Sequence, residues 1–275
     1  MNKTPVTNKI DNNYIKTIFE QASKEIIMPL YGKLKDSQIS SKSRYDDYVT
    51  EADQRTESFL KSRLINLING SNFIGEEGFY LDNHKGFNPY SEFTWTCDPI
   101  DGTFNFVNSL DKFCIMVSLC KGKIPIACWL YFPCYKIFVF SESMKSVIFL
   151  NDDNKVRVFR YKNMIKFDVL KGSVSIIEIL LRDYQPKKDK YGYLLAKNLR
   201  CAGYEIVCLV CGKIDYLFHT YITPWDHSPV YILAKSSGCK VYLDPEENDF
   251  KFDFKGRLLC VTSDLVYTKL KKEIF

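Results

Sequence analysis

Trp95-Thr96-Cys97-Asp98-Pro99-Ile100-Asp101-Gly102-Thr103 is an apolar strand pattern that runs into one carboxylate, turns at a proline and delivers a second carboxylate ahead of Gly-Thr. Pro99 fixes its own φ and is expected to stop the strand, so that Asp98 and Asp101 can face one spot. Hard cations such as Mg2+ take oxygen ligands of this kind. A helix starting at Gly102 or Thr103 would turn free backbone N–H groups and a positive dipole end toward an anion, with glycine permitting close approach. The same residues also read as a helix cap at Asp101 and a surface turn over Pro99-Ile100-Asp101-Gly102, and the stretch alone does not choose between the two.

Further acids stand on both sides of this stretch. Upstream, Val49-Thr50-Glu51-Ala52-Asp53 opens a helical pattern, and Glu51, Asp53 and Glu57 would be at home in its first turns as simple helix-dipole partners. Phe73-Ile74-Gly75-Glu76-Glu77-Gly78 sets an acidic pair directly after a short apolar strand, where an exposed loop is the plain alternative. Downstream, Pro224-Trp225-Asp226-His227 places an acid before the apolar helical run Val230 to Ala234, as a cap or as a ligand closing a cation site from the far side. His219 and His227 invite a zinc reading, but three histidines and no further nitrogen or sulfur ligand at suitable spacing argue against it.

Elsewhere the pattern is that of an ordinary globular chain. With 275 residues, 46% of them hydrophobic, it can bury a substantial core, and a net charge of +5 with mixed signs points to no nucleic-acid partner. Pro186-Lys187-Lys188-Asp189-Lys190 and Lys269-Leu270-Lys271-Lys272 read as solvated surface. Met1 to Lys9 lacks a secretory apolar stretch and no uncharged segment is long enough to span a bilayer, so a cytoplasmic protein with no membrane partner is expected. The ten cysteines fall in apolar runs and read as buried reduced thiols, the Cys208-Leu209-Val210-Cys211 pair included. Helices are expected over roughly 13–31 and 51–68, then strands at 73–74, 93–97, 113–120, 124–132 and 136–140 with a turn at Lys121-Gly122-Lys123. Beyond residue 150 a strand near 167–170, helices near 175–181 and 191–200, a helix at 204–211, a strand at 213–218, a helix after Pro224 and strands at 240–243 and 258–261 follow.

Taken in order, Val49-Thr50-Glu51-Ala52-Asp53, Gly75-Glu76-Glu77, Asp98-Pro99-Ile100-Asp101-Gly102-Thr103 and Trp225-Asp226 resemble the motifs of the inositol monophosphatase family. The resemblance extends through Arg200-Cys201-Ala202-Gly203-Tyr204-Glu205 and covers roughly residues 10–245. It implies an α/β layered sandwich of alternating α-β-α-β-α layers, of the inositol monophosphatase and fructose-1,6-bisphosphatase type. Residues 1–150 would carry most metal ligands and residues 151–275 would close the active site.

The resemblance also implies a Mg2+-dependent, lithium-sensitive phosphatase acting on a small phosphorylated metabolite, as a homodimer. Glu76, Asp98 and the Ile100 carbonyl would hold one Mg2+, and Asp98, Asp101 and Asp226 a second, with a third and weaker ion near Glu76. Asp53 and Thr103, with Glu76, would act in catalysis by orienting and activating water. Asp101, Gly102, Thr103, Gly203, Tyr204, Glu205 and Asp226 would contact substrate. Departures bear on which alcohol is released. His219 stands where the family has a Glu for substrate hydroxyls, Phe104 where a second Thr is usual, and Ser228-Pro229-Val230 and Ser236-Ser237-Gly238-Cys239 replace small-residue stretches. Inositol monophosphate is therefore one expected substrate beside adenosine 3′,5′-bisphosphate, fructose 1,6-bisphosphate and histidinol phosphate, with a non-catalytic metal-binding relative as the alternative of another class.

Overall fold

The computed structural model describes residues 10–41, 48–82, 88, 90–142, 144–151, 156–160, 187–188, 192, 194–195 and 199–274. Helix α1 (Asn12–Ala22) begins at Asp11, whose side chain accepts from the Asn13 amide, and runs on through a π turn (Ser23–Ile27) to Leu30. A short ribbon of β1 (Ile39–Ser41) and β2 (Tyr48–Thr50) leads to α2 (Glu51–Leu64). Next come β3 (Asn72–Gly75), α3 (Glu76–Asp82), β4 (Phe93–Asp101) and the single turn α4 (Thr103–Val107). Five antiparallel strands follow: β5 (Cys114–Lys121), β6 (Ile124–Phe132), β7 (Ile137–Glu142), β8 (Ser146–Leu150) and β9 (Val156–Arg160). The remainder holds β10 (Lys187–Lys188), β11 (Leu194–Leu195), α5 (Ala202–Val210), β12 (Tyr216–His219), α6 (Pro224–Ser237), β13 (Lys240–Asp244), β14 (Arg257–Val261) and α7 (Asp264–Ile274).

Strands β3 to β9 form one seven-stranded sheet in sequence order, parallel only between β3 and β4, and the second sheet has the order β10-β11-β12-β14-β13. Side-chain alternation explains how these sheets build layers. On β6, Ala127, Trp129 and Tyr131 join Ile15, Phe19, Leu60 and Leu64 in a core beneath α1 and α2. Cys128, Leu130 and Phe132 of the same strand join Val207, Val230 and Leu233 of α5 and α6 on the other face. Both faces are covered, so the strand is apolar throughout. In the second sheet Leu258 and Cys260 of β14 face α6, while Leu259 and Val261 meet Val266 and Leu270 of α7. The result is an α-β-α-β-α sandwich with α6, buried nearly all round, in the middle. No helix among the described residues is long and apolar enough to cross a membrane.

Several sequence expectations are corrected. Pro99 does not end its strand: β4 continues to Asp101 through a bulge, Asp98 opposing Met116 and Asp101 opposing Cys114, and the proline sits where no ladder donor is required. The acidic pair follows a strand directly, as expected, and the alternative of an exposed loop at Gly75-Glu76-Glu77-Gly78 gives way to the strand end and first turn of α3. Leu194–Leu195 pairs beside β12 as strand, so the helix expected over 191–200 is not present at its described residues. Lys269 and Lys271 are exposed, as expected of the lysine run, while Leu270 between them is buried on the inner face of α7. The strand expected near 167–170 and the helix near 175–181 lie outside the described residues.

Candidate functional site

The β4 bulge presents two buried carboxylates from one strand. Asp98 Oδ1 accepts the Ile100 amide at 2.9 Å, closing a local turn around Pro99. At Gly102 the backbone is left-handed, φ +89°, and a Cβ there would lie 2.8 Å from the Lys112 carbonyl oxygen, so only glycine carries the chain from β4 into α4. Thr103 at the start of α4 then directs its hydroxyl to the Ile100 carbonyl at 2.9 Å and to Asp53 Oδ1 at 3.1 Å.

Asp53 reaches that position from α2 as the third residue of a capping box. Its Oδ2 accepts the Thr50 amide at 2.8 Å and the Thr50 hydroxyl at 2.5 Å, leaving Oδ1 to Thr103. One turn further, the buried Glu57 carboxylate accepts the amides of Glu77 and Gly78, each at 2.8 Å, and so fastens the start of α3 to α2. This fixes where Glu76 emerges. Sequence reading gave Glu57 no role beyond the helix dipole, although its spacing of four from Asp53 places both on one helical face.

Asp101 is held from the C-terminal half. Its Oδ1 accepts the Ala202 amide at 3.0 Å, and its Oδ2 accepts the Gly203 amide at 2.7 Å and the Cys201 thiol at 3.0 Å. Gly203 has no room for a side chain, because a Cβ there would collide with Cys114 Sγ. Tyr204, expected to line a pocket, instead points into the core, buried and edge-on to Phe132 at 5.8 Å.

Asp226 enters from the first turn of α6, anchored by Trp225, which packs among Ile74, Cys120 and Phe252. Carboxylate oxygens of Asp98, Asp101 and Asp226 all lie within 4.8 Å of one another. Burial first, and then the charges of Glu76, Asp226 and Asp101, raise the pKa of Asp98 well above the ordinary carboxylate range. Burial and Asp226 push Asp101 up to about 7, against the hydrogen bonds from Cys201, Gly203 and Ala202. Glu76 thus reaches the cluster through its charge.

These acids suit a hard divalent cation: the donors are all oxygen, and Asp226 Oδ1 is buried without a hydrogen-bond partner. The chain therefore carries an acidic cluster able to hold a metal ion.

A hydrogen-bonded chain that sequence reading missed runs outward from Asp226. Its Oδ2 accepts the Thr223 hydroxyl at 2.6 Å, and the Thr223 amide donates to His227 Nδ1 at 3.1 Å. His227 Nε2 meets His219 Nδ1 at 2.5 Å, and His219 Nε2 meets Glu205 Oε2 at 3.2 Å. Burial and then His219 lower the pKa of His227, which favours its neutral form; its Nδ1 also lies 3.2 Å from the Thr223 carbonyl, so the tautomer sets which way the protons point along the chain. Glu205 also accepts the Leu199 amide at 3.1 Å. The eight-residue spacing of the two histidines gives no helical or strand signal for this meeting.

Comparisons with known proteins show what the chain is similar to. The model of the inositol monophosphatase family matches residues 12–274. An inositol monophosphatase of Dictyostelium discoideum is 26% identical over 233 residues, 82% of each chain. A fructose-1,6-bisphosphatase/inositol-1-monophosphatase of Aquifex aeolicus is 24% identical, covering 79% of this chain and 80% of its own. A staphylococcal inositol monophosphatase I solved with products superimposes with TM-score 0.68 at 17% identity, over 98% of this chain and 97% of the other, a likeness of fold. With the family model matched from the first helix to the last, this chain belongs to the inositol monophosphatase family of phosphatases.

Proposed function

We propose that the protein is a Mg2+-dependent phosphomonoesterase that releases phosphate from inositol monophosphate or a similarly small phosphorylated metabolite. The observation that carries this reading is the Thr103 hydroxyl, hydrogen-bonded to Asp53 beside three clustered carboxylates. Two Mg2+, one held by Glu76, Asp98 and the Ile100 carbonyl and one by Asp98, Asp101 and Asp226, would neutralise phosphoryl oxygens and activate water. The Ile100 carbonyl keeps a second lone pair beside the one Thr103 engages. Thr103 orients the attacking water, and Asp53 Oδ1 takes up its proton through the threonine hydroxyl. The amides of Gly102 and Thr103 cradle the phosphate. Glu205 and His219 meet the leaving alcohol, Gly203 adds its backbone, and the site lies between residues 1–150 and 151–275. The family resemblance supports a third, weaker ion near Glu76, lithium sensitivity, a cytoplasmic location and a homodimer; ultracentrifugation distinguishes the last from a monomer.

The test is phosphate release, with and without Mg2+, from inositol 1-phosphate, fructose 1,6-bisphosphate, adenosine 3′,5′-bisphosphate and histidinol phosphate. Turnover of none of them, with Mg2+ still bound, would replace the proposal by a non-catalytic relative. A bisphosphate is the second reading. The exposed Arg200 guanidinium lies 3.8 Å over the Phe104 ring next to Thr103, a fixed cation suited to a second phosphate, and Tyr48 stacks on the same ring at 6.1 Å. The Aquifex relative's name includes fructose-1,6-bisphosphatase.

A further inference from the structure

Two thiols share Asp101 with the acid cluster, one from each half of the chain. Cys201 Sγ lies 3.0 Å and Cys114 Sγ 3.6 Å from Asp101 Oδ2, and the sulfurs are 4.0 Å apart. All three side chains are buried, and their ligand atoms fall within 4.8 Å of one another. We propose that Cys114, Cys201 and Asp101 form a binding site for a soft divalent cation of the Zn2+ class, and that its occupancy competes with Mg2+ for Asp101.

The geometry is that of a coordination polyhedron before the ion arrives. With metal–sulfur bonds of ~2.3 Å and metal–oxygen bonds of ~2.0 Å, a tetrahedral ion sets its sulfurs ~3.8 Å apart and each sulfur ~3.5 Å from the oxygen. The observed edges, 4.0, 3.6 and 3.0 Å, bracket those lengths, so tenths of an ångström separate this cluster from a three-ligand site with its fourth position open. Charge balance favours the exchange. With Asp101 ionised and both thiols protonated the cluster carries one negative charge; a dication that displaces both thiol protons to solvent leaves one negative charge again. A buried site thus gains a metal with no change in net charge. The Ala202 amide on Oδ1 and the Gly203 amide on Oδ2 hold the carboxylate in place meanwhile. Oxygen-seeking Mg2+ has little affinity for these sulfurs, whereas thiolates select zinc-class ions.

The site itself does not depend on the proposed phosphatase substrate; only the inhibition does. The experiment is titration of the intact protein with Co2+, read as the thiolate-to-cobalt charge-transfer band, in wild type and in C114S, C201S, C208S and D98N. Saturation at one ion per chain, with the band lost in C201S or C114S and kept in C208S and D98N, is the expected result. C201S carries the test alone if C114S fails to fold by circular dichroism. No band in wild type, a band persisting in both serine variants, or its loss in C208S or D98N overturns the proposal, leaving the thiols as hydrogen-bond donors to Asp101. Micromolar Zn2+ should also lower wild-type turnover at least tenfold against its own Zn2+-free rate, and C201S less than twofold against its own.

Discussion

Thr103 Oγ1 lies 3.1 Å from Asp53 Oδ1 and 2.9 Å from the Ile100 carbonyl oxygen, so one hydroxyl joins the start of α2 to the β4 bulge. Its single proton serves both acceptors, which leaves its lone pairs for a water donor. Replacing Thr103 by Ala should lower kcat by about a hundredfold or more, and Asp53→Asn similarly, as expected for loss of a positioned acid-base pair. Thr103→Ser should restore most of the rate. Steady-state kinetics with KM measured separately checks this, and near-normal kcat in T103A would remove the threonine from the mechanism.

Asp98 is the acid most burdened by its neighbours, and its loss should act in opposite directions on rate and on metal-free stability. Asp98→Asn should cut kcat about a thousandfold, roughly 4 kcal/mol of transition-state stabilisation. In the chelator-treated protein the same change should raise Tm, because it removes a carboxyl whose ionisation is opposed by burial and by Glu76, Asp226 and Asp101. Calorimetry with and without Mg2+ reads both effects, and a lower metal-free Tm would contradict the account.

Glu57 should matter more than a helix acid usually does. Glu57→Ala strands the amides of Glu77 and Gly78 at the start of α3, costing on the order of 1–3 kcal/mol in chemical unfolding. Since Glu76 opens the same turn, Mg2+ affinity should fall with it, measured by calorimetric titration.

For the hydrogen-bonded chain from Asp226 to Glu205, His219→Asn should raise KM about tenfold, or about 1.4 kcal/mol, with kcat within a few-fold. The preference among polyol, nucleotide and bisphosphate substrates should shift as well. Loss of kcat at constant KM would instead assign His219 to the chemical step.

The pH dependence of stability follows from Asp101. Its folded pKa, about 7, stands above the ordinary carboxylate value, so folded and unfolded chains are both protonated at pH below about 3.8 and the contribution is fully present there. As pH rises toward 7 the unfolded chain ionises first and stability is lost, by an amount on the order of a few kcal/mol. Metal-free Tm should therefore fall between pH 5 and 7.5, and the rise in Tm on adding Mg2+ should be larger at pH 7.5. A metal-free Tm that climbs over that range would contradict this.

Much of this was legible in the chain. The periodicity of residues 13–31 and 51–68, the apolar runs of β5 to β7 and each acidic motif taken singly depend on neighbours a few residues apart, where sequence and structure share a ruler. The bulge at Pro99 was read as a strand end because a proline rules out a regular ladder but says nothing about an irregular one. Tyr204 was assigned to a pocket through its neighbours, yet its ring turns to the core because α5 shows its amides, not that side chain, to Asp101.

The sequence by itself showed most of the helices and strands, since alternation and helical spacing are local, while the layer order and the roles of the acids rested on the resemblance of its motifs to a family. Only the tertiary structure decided which groups meet: Cys114 with Cys201 around Asp101, His219 between Glu205 and His227, and Glu57 under α3. The physical reason is that a hydrogen bond or ligand set between residues on different elements leaves no periodic trace, and arises only when packing brings the two backbones together.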